Sequence, residues 1–188
     1  MADTKNTNDI KIIVITCEKH VDLLPEFSKR FSKYWGDSFF VFISNTPLEK
    51  WSDGVINLLE SLQDKYVILL HEDFYLTVPI DKDLLNNLKK FALEHKVDRV
   101  SLCGNHTPDR TYKYLEGFYR HYSQADYQLS FEASIFRRKW LLEILKRGLN
   151  PWESEGNYRF ELDSMIISSG KAPVVYKDRL RKGKLQEV

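Results

Sequence analysis

An α/β domain with a mostly parallel central sheet flanked by helices is what this sequence predicts, and three observations predict it. Short β-branched runs alternate with stretches of helical apolar spacing from Ile10 to Leu102, the order that produces parallel strands with helical crossovers. One run, Val67 to Leu70, is wholly apolar, as a strand buried on both faces should be. That run stops abruptly at His71, Glu72 and Asp73, placing two carboxylates at a strand's carboxyl end, where open α/β sheets hold their ligands.

Each element follows from local pattern. Ile10 to Thr16 is rich in β-branched residues and reads as the first strand. Leu23, Leu24, Phe27, Phe31, Tyr34 and Trp35 recur at helical spacing, giving a helix from Val21 to Trp35. Pro25 falls in its first turn, where a missing N–H costs least, and Gly36 ends it. Phe39 to Ser44 is the second strand. A loop from Asn45 to Asp53 leads to a helix over Val55 to Gln63, with Ser52 or Asp53 as its N-cap, and then to the strand at Val67. Asp81 is placed to cap a helix over Lys82 to His95, and Val97 to Leu102 supplies another strand.

The regularity breaks at Gly104. The stretch to Gln128 is polar and aromatic without clean periodicity, including Arg110, Tyr112, Tyr119, Arg120 and Tyr127. It reads as a long loop whose aromatic content argues against disorder. A strand is expected over Gln128 to Ala133, a helix over Arg138 to Arg147 closed by Gly148, a helix near Arg159 to Ser168 and a strand over Pro173 to Tyr176. The basic end, Lys177 to Lys184, reads as a tail or the start of a further segment.

Composition narrows the function. The chain has 188 residues, enough for a single domain with a sizeable core. With 28 basic against 27 acidic residues, charge gives no argument for nucleic-acid binding. Cys17 and Cys103 form no metal-spaced pair, which fits a reducing compartment better than a disulfide scaffold. No apolar run approaches a membrane span, and the polar amino terminus has no signal core. A cytoplasmic chain is the expectation.

Several groups carry candidate chemistry. Asp73, with Glu72 as partner or ribose contact, is suited to holding Mn²⁺ or Mg²⁺ against the phosphates of a nucleotide, because oxygen ligands suit these cations. A solvated turn would look similar, and His71 is as well explained by packing. Thr16, Cys17 and Glu18 end the first strand beside the same crevice, and Asn45 ends the second at a matching level; each is also an ordinary strand-to-helix turn. Ser52 and Asp53 open a helix whose free N–H groups suit a diphosphate. The chain lacks the glycine-rich dinucleotide and P-loop motifs. Trp152, between Pro151 and Glu153, puts an indole face beside carboxylates, a common way to bind a sugar. Glu153, Glu155 or Asp126 is then a candidate base for an acceptor hydroxyl. Arg110 and Tyr112, in the aromatic–arginine stretch, are candidate acceptor contacts, either as a lid or as core under a long loop.

Taken together these pieces resemble a small GT-A glycosyltransferase. Trp51 to Asp53 before a Leu-rich helix, Tyr66 to Leu76, Ser130 to Phe136 before a basic helix with a Trp, and Pro151 to Glu153 are similar, in the same order, to bacterial and large-DNA-virus glycosyltransferase-like domains with an acidic Glu-Asp-Phe signature. The amino-terminal glycosyltransferase domain of a chlorovirus multidomain protein is similar too. The resemblance implies a nucleotide-sugar donor, usually a UDP-sugar, a glycan acceptor, and Mn²⁺ or Mg²⁺ bridging the diphosphate to Asp73. It implies a nucleotide-binding half over 1–103 and an acceptor-side half over 104–188. Here the triplet His71-Glu72-Asp73 has His where an Asp-x-Asp pattern would start. Two rival expectations stand beside this one. The first is a non-catalytic nucleotide- or glycan-binding module of the same fold. The second is a phosphoacceptor domain using Asp73, which would want more acids after the first strand than Glu18 alone.

Overall fold

The computed structural model describes residues 10–45, 47, 50–104, 111–122, 129–148, 150–151, 153, 164–178, 180–181 and 184–186. Its first strand, β1 (Lys11–Cys17), is buried at every position between its two ends. Such a strand needs cover on both sides of the sheet, and successive side chains enter two separate cores. A 3-10 segment, Glu18–Leu23, leads into α1 (Leu24–Tyr34), with Pro25 in the first turn as expected. Then follow β2 (Phe40–Ser44), α2 (Trp51–Ser61), β3 (Tyr66–His71), β4 (Phe74–Leu76), α3 (Lys82–His95) and β5 (Arg99–Ser101). The second half holds β6 (Thr111–Leu115), β7 (Phe118–His121), β8 (Ser134–Arg137), α4 (Arg138–Leu145), β9 (Ile166–Ser169) and β10 (Tyr176–Asp178). Two short strands, β11 (Leu180–Arg181) and β12 (Lys184–Leu185), pair with each other near the end.

Eight of the described strands form one sheet in the order β2-β1-β3-β8-β5-β9-β7-β6. β1 lies parallel to β2 and β3, and β5 parallel to β9, while β8 and β7 run against their neighbours. On one face Ile12, Val14, Ile68 and Leu70 pack with Phe27 and Phe31 of α1, Trp35 at its C-cap, and Leu85, Leu88 and Ala92 of α3. On the other, Ile13, Ile15, Val67 and Leu69 pack with Val55 and Leu59 of α2 and Trp140, Leu141 and Ile144 of α4. The expected α/β architecture, a mostly parallel sheet between helical layers, is the one found. Truncating a wholly buried strand residue such as Leu69 (0% exposed) to Ala should cost about 3 kcal/mol, because neighbours close such a cavity only partly.

Local signals hold where chemistry enforces them. The Asp81 carboxylate accepts from the Leu84 N–H at 2.9 Å and caps α3. Phe27, Phe31 and Trp35 stack along one face of α1, with ring centroids 5.7 and 4.9 Å apart. Gly36 and Gly148 both take positive φ after their helices, the left-handed geometry that only glycine adopts readily.

Other expectations need correction. β8 enters antiparallel between β3 and β5, interrupting the all-parallel run. The long loop expected after Gly104 contains a hairpin, β6–β7, turning at Gly117. The strand expected over Gln128 to Ala133 lies further on, at Ser134–Arg137: Leu129 and Phe131 are buried in the α2/α4 core, while Ile135 pairs in register with both Ile68 and Val100. Ile166 to Ser168, expected to end a helix, instead belongs to the strand β9, fixed in parallel register beside β5. The strand expected over Pro173 to Tyr176 begins at Tyr176 and pairs with β4, so the basic end is partly sheet. α2 begins at Trp51, and neither Ser52 nor Asp53 caps it; the N-cap position is Lys50, with no side-chain cap bond. Among the described residues no helix is long and apolar enough to cross a membrane.

Candidate functional site

The carboxyl ends of β1, β2 and β3 come level with one another: Cys17 pairs with Ser44, and Ile15 with His71. Side chains beyond this level diverge to the two faces. Thr16 and Glu72 turn toward the α1/α3 face. Thr16 hydrogen-bonds Glu72, and His20 Nδ1, from the 3-10 segment, lies 3.0 Å from Glu72 Oε1. Glu72 is only 5% exposed. Burial lifts its carboxyl to about 7, assisted by the negative charge of Asp22 and opposed by hydrogen bonds from the backbone and Thr16. A carboxyl held there can take or give a proton at neutral pH.

His71 turns to the opposite face. Its imidazole hydrogen-bonds the Phe131 backbone, and burial pushes it down to about 4, so it is neutral at physiological pH. Phe74 meets the His71 ring edge-on at 5.2 Å and stacks on Tyr176 at 4.2 Å. Between them, Asp73 occupies the tight turn joining β3 to β4, its carbonyl accepting from the Tyr75 N–H at 3.0 Å. Asp73 is half-buried at the carboxyl end of β3.

Across the sheet a second charged group extends this edge. Glu132, just before β8, accepts from Arg99 Nη2 and Ser101 Oγ, each at 3.0 Å. Arg99 is 1% exposed, and a buried guanidinium requires such an anion. The Cys103 thiol is pushed up to about 12 by burial and by the charge of Glu132, while Tyr176, its hydrogen-bond partner, is also raised, chiefly by burial. Both groups stay protonated, so Cys103 is no thiolate nucleophile.

The sequence candidates thus divide. Thr16, Glu72, His71 and Asp73 lie at the carboxyl ends of β1 and β3. Cys17 lies half-buried there, and Glu18 and Asn45 are exposed on the segments that follow β1 and β2. Ser52 is buried and Asp53 exposed in the first turn of α2, whose Trp51 packs edge-on against Phe131, 4.9 Å between centroids. Glu153 is exposed, and its carboxylate accepts from the Asn150 N–H while the Asn150 side chain accepts from Glu153 N, a reciprocal capping box. Tyr112 lies on β6, five strand steps from β3, about 24 Å across the sheet at ~4.8 Å per step; it packs against Tyr122. Trp152, Glu155, Asp126 and Arg110 lie outside the described residues. Two site residues escaped the sequence reading. Glu132 carried a signal, a lone acid inside the run Ser130 to Phe136, but His20 is 52 positions from Glu72 and carried none.

No protein-family model matches the chain, and no curated protein matches it. Solved structures are similar to it at low identity. A197 from STIV is 12% identical over 88% of this chain and 83% of its own, with a TM-score of 0.47. UDP-glucose pyrophosphorylase, solved with UDP-glucose, is 9% identical over 89% of this chain and 74% of its own, with a TM-score of 0.46. HddC from Yersinia pseudotuberculosis is 11% identical, covering 92% and 74%, with a TM-score of 0.44. At this level of likeness the chemistry rests on the residues themselves.

Proposed function

We propose that the chain is a GT-A-type glycosyltransferase, moving a hexose or deoxyhexose from a UDP-sugar to a glycan hydroxyl. The observation that supports it best is the pair Glu72 and Asp73 at the carboxyl end of the central strand β3, beside Thr16 at the end of β1. A crevice at this edge of a doubly covered sheet is where such folds take a nucleotide. Thr16, Cys17, Glu18 and Asn45 would contact the nucleoside, and the α2 start at Ser52 and Asp53 the diphosphate, through backbone N–H groups.

Among the described residues no three His, Cys, Asp or Glu side chains group to hold a metal. Mn²⁺ or Mg²⁺ bound through one or two carboxylates, with substrate phosphates and water completing the shell, needs no such cage. Asp73 with Glu72 fits that demand. Held by Asp73 with Glu72, such a cation would neutralise charge on the departing diphosphate. Glu72, drawn up to about 7 and held by His20 and Thr16, orients the turn that presents Asp73. Acceptor activation falls to a carboxylate of the later half, Glu153, Glu155 or Asp126, with Trp152 and Arg110 on the acceptor side; Tyr112, at the far sheet edge, drops out of that role.

The burial of Glu72 against His20 favours one rival, a nucleotide-binding module without turnover. A thermal-shift panel of nucleotides and nucleotide-sugars, with and without Mn²⁺, tests the shared premise: a uridine compound should raise the melting temperature, and Asp73→Ala should remove the Mn²⁺-dependent part. Donor hydrolysis then separates transferase from module. If no uridine or guanosine compound stabilises the protein, the proposal fails.

A further inference from the structure

At the opposite edge of the sheet, where β1, β2 and β3 begin, lies a recess of about 920 Å³. It is within the size range of small-molecule sites. One face of α3 lines it: Lys82, Asn86, Lys89 and Leu93 recur at helical spacing, with Tyr66 and Phe40 opposite. Lys89 is only 4% exposed. Long basic side chains ordinarily bury the stem and send the ammonium to water; here the stem is buried and the residue lines the recess. Among the described residues it has no hydrogen-bond or ion-pair partner. The acids of the recess are already engaged. Asp37 accepts from Trp35 Nε1 at 3.2 Å and from Lys82 at 3.4 Å, and Asp64 meets Lys11 at 2.9 Å. Asp37 lies close enough to favour the Lys89 charge but is held by Trp35 and Lys82, so an anion entering the recess would give the Lys89 ammonium a direct partner.

We propose that this recess binds a small organic anion, a carboxylate or phosphate carried on an apolar body, with the Lys89 ammonium meeting the charge. The apolar walls, Phe40, Tyr66, Leu85 and Leu93 among them, suit the body, and Lys65, which also lines the recess, adds positive potential around the head. Burial and the neighbouring Lys82 charge lower the Lys89 ammonium, opposed by Asp37; a bound anion reverses that pressure. Lys11 and Cys17 stand at opposite ends of β1, about 20 Å apart along the strand, so the site is separate from the crevice.

The test is displacement of the fluorescent sulfonate 1-anilinonaphthalene-8-sulfonate by octanoate and by phenyl phosphate, with inorganic phosphate as the arm lacking an apolar body. Wild type should bind the fluorophore and release it to both organic anions. Inorganic phosphate should compete at least tenfold more weakly. Lys89→Met should weaken octanoate and phenyl phosphate at least tenfold, whereas Lys29→Met, at an exposed α1 position, should not. Wild-type affinity in Lys89→Met, or no displacement from wild type, overturns the proposal. Should Lys89→Met not fold, the unmutated chain carrying [¹³Cε]lysine replaces it. One lysine resonance must then move saturably with octanoate, and no movement is equally fatal.

Discussion

Glu72→Gln keeps the shape of the Glu72 side chain and removes its titration, so it reads out the crevice electrostatics directly. In the metal-free protein burial lifts this carboxyl from 4.5 to about 7. Below pH 4.5 it holds a proton folded or unfolded. Between pH 4.5 and 7 the unfolded chain gives up the proton while the folded chain keeps it, so stability falls as pH rises, by about 1.4 kcal/mol per unit. Above pH 7 the whole difference, about 3 kcal/mol, has been lost. The variant should therefore match wild type near pH 4.5 and be about 3 kcal/mol more stable at pH 8. His71 contributes the opposite slope: its imidazole is held down at about 4, so stability is lost as pH falls from 6.5 toward 4. In wild type the two slopes oppose each other between pH 4.5 and 6.5, and in Glu72→Gln the His71 slope stands exposed. Urea unfolding in EDTA at half-unit pH steps measures both curves. A difference that stays constant across pH refutes the reasoning. A variant less stable than wild type at pH 8 would show instead that His20 holds Glu72 as a stabilising carboxylate.

Asp98 is 4% exposed and accepts from the Arg137 guanidinium and, at 2.7 Å, from the Met165 N–H. Asp98→Ala should cost about 3 kcal/mol by urea unfolding, because it strands these donors, and a loss below 1 kcal/mol would contradict that. Gly104 sits at φ +65, and a Cβ there would meet the Ala172 nitrogen at 2.9 Å; Gly104→Ala should destabilise by about 2 kcal/mol in the same assay, against no change if the 172 backbone yields freely. Asp81→Ala removes the α3 cap and should lower stability by about 1 kcal/mol, with Asp81→Asn retaining most of it.

The first half of the fold was legible because each element there satisfies one strong rule. Val67 to Leu70 is apolar throughout since both helical layers cover it, and Asp81 announces α3 by the chemistry of its cap. The second half obeys weaker local rules. β6 lies at the sheet edge with all but Thr111 exposed, so Tyr112 and Tyr114 present no inward alternation. β9 is buried along its whole length yet ends in Ser168 and Ser169. Neighbours supply what the pattern lacks: Ser168 pairs in register with Ser101, and its hydroxyl lies 2.5 Å from His121 Nε2. β8 is chosen by Ile135 fitting between Ile68 and Val100, a long-range fact that no window of sequence contains. The site divides in the same way. Glu72 and Asp73 stood out by following an apolar strand, while Glu132 becomes meaningful only once Arg99 is seen buried beside it.

Calorimetric titration of UDP into wild type and Asp73→Asn, each with and without Mn²⁺, reaches the central claim most directly. Wild type should bind UDP at least tenfold more tightly with the cation, and Asp73→Asn should lose that gain while remaining folded. Equal affinity in all four titrations, or no UDP binding in any, would contradict a nucleotide site built on Asp73.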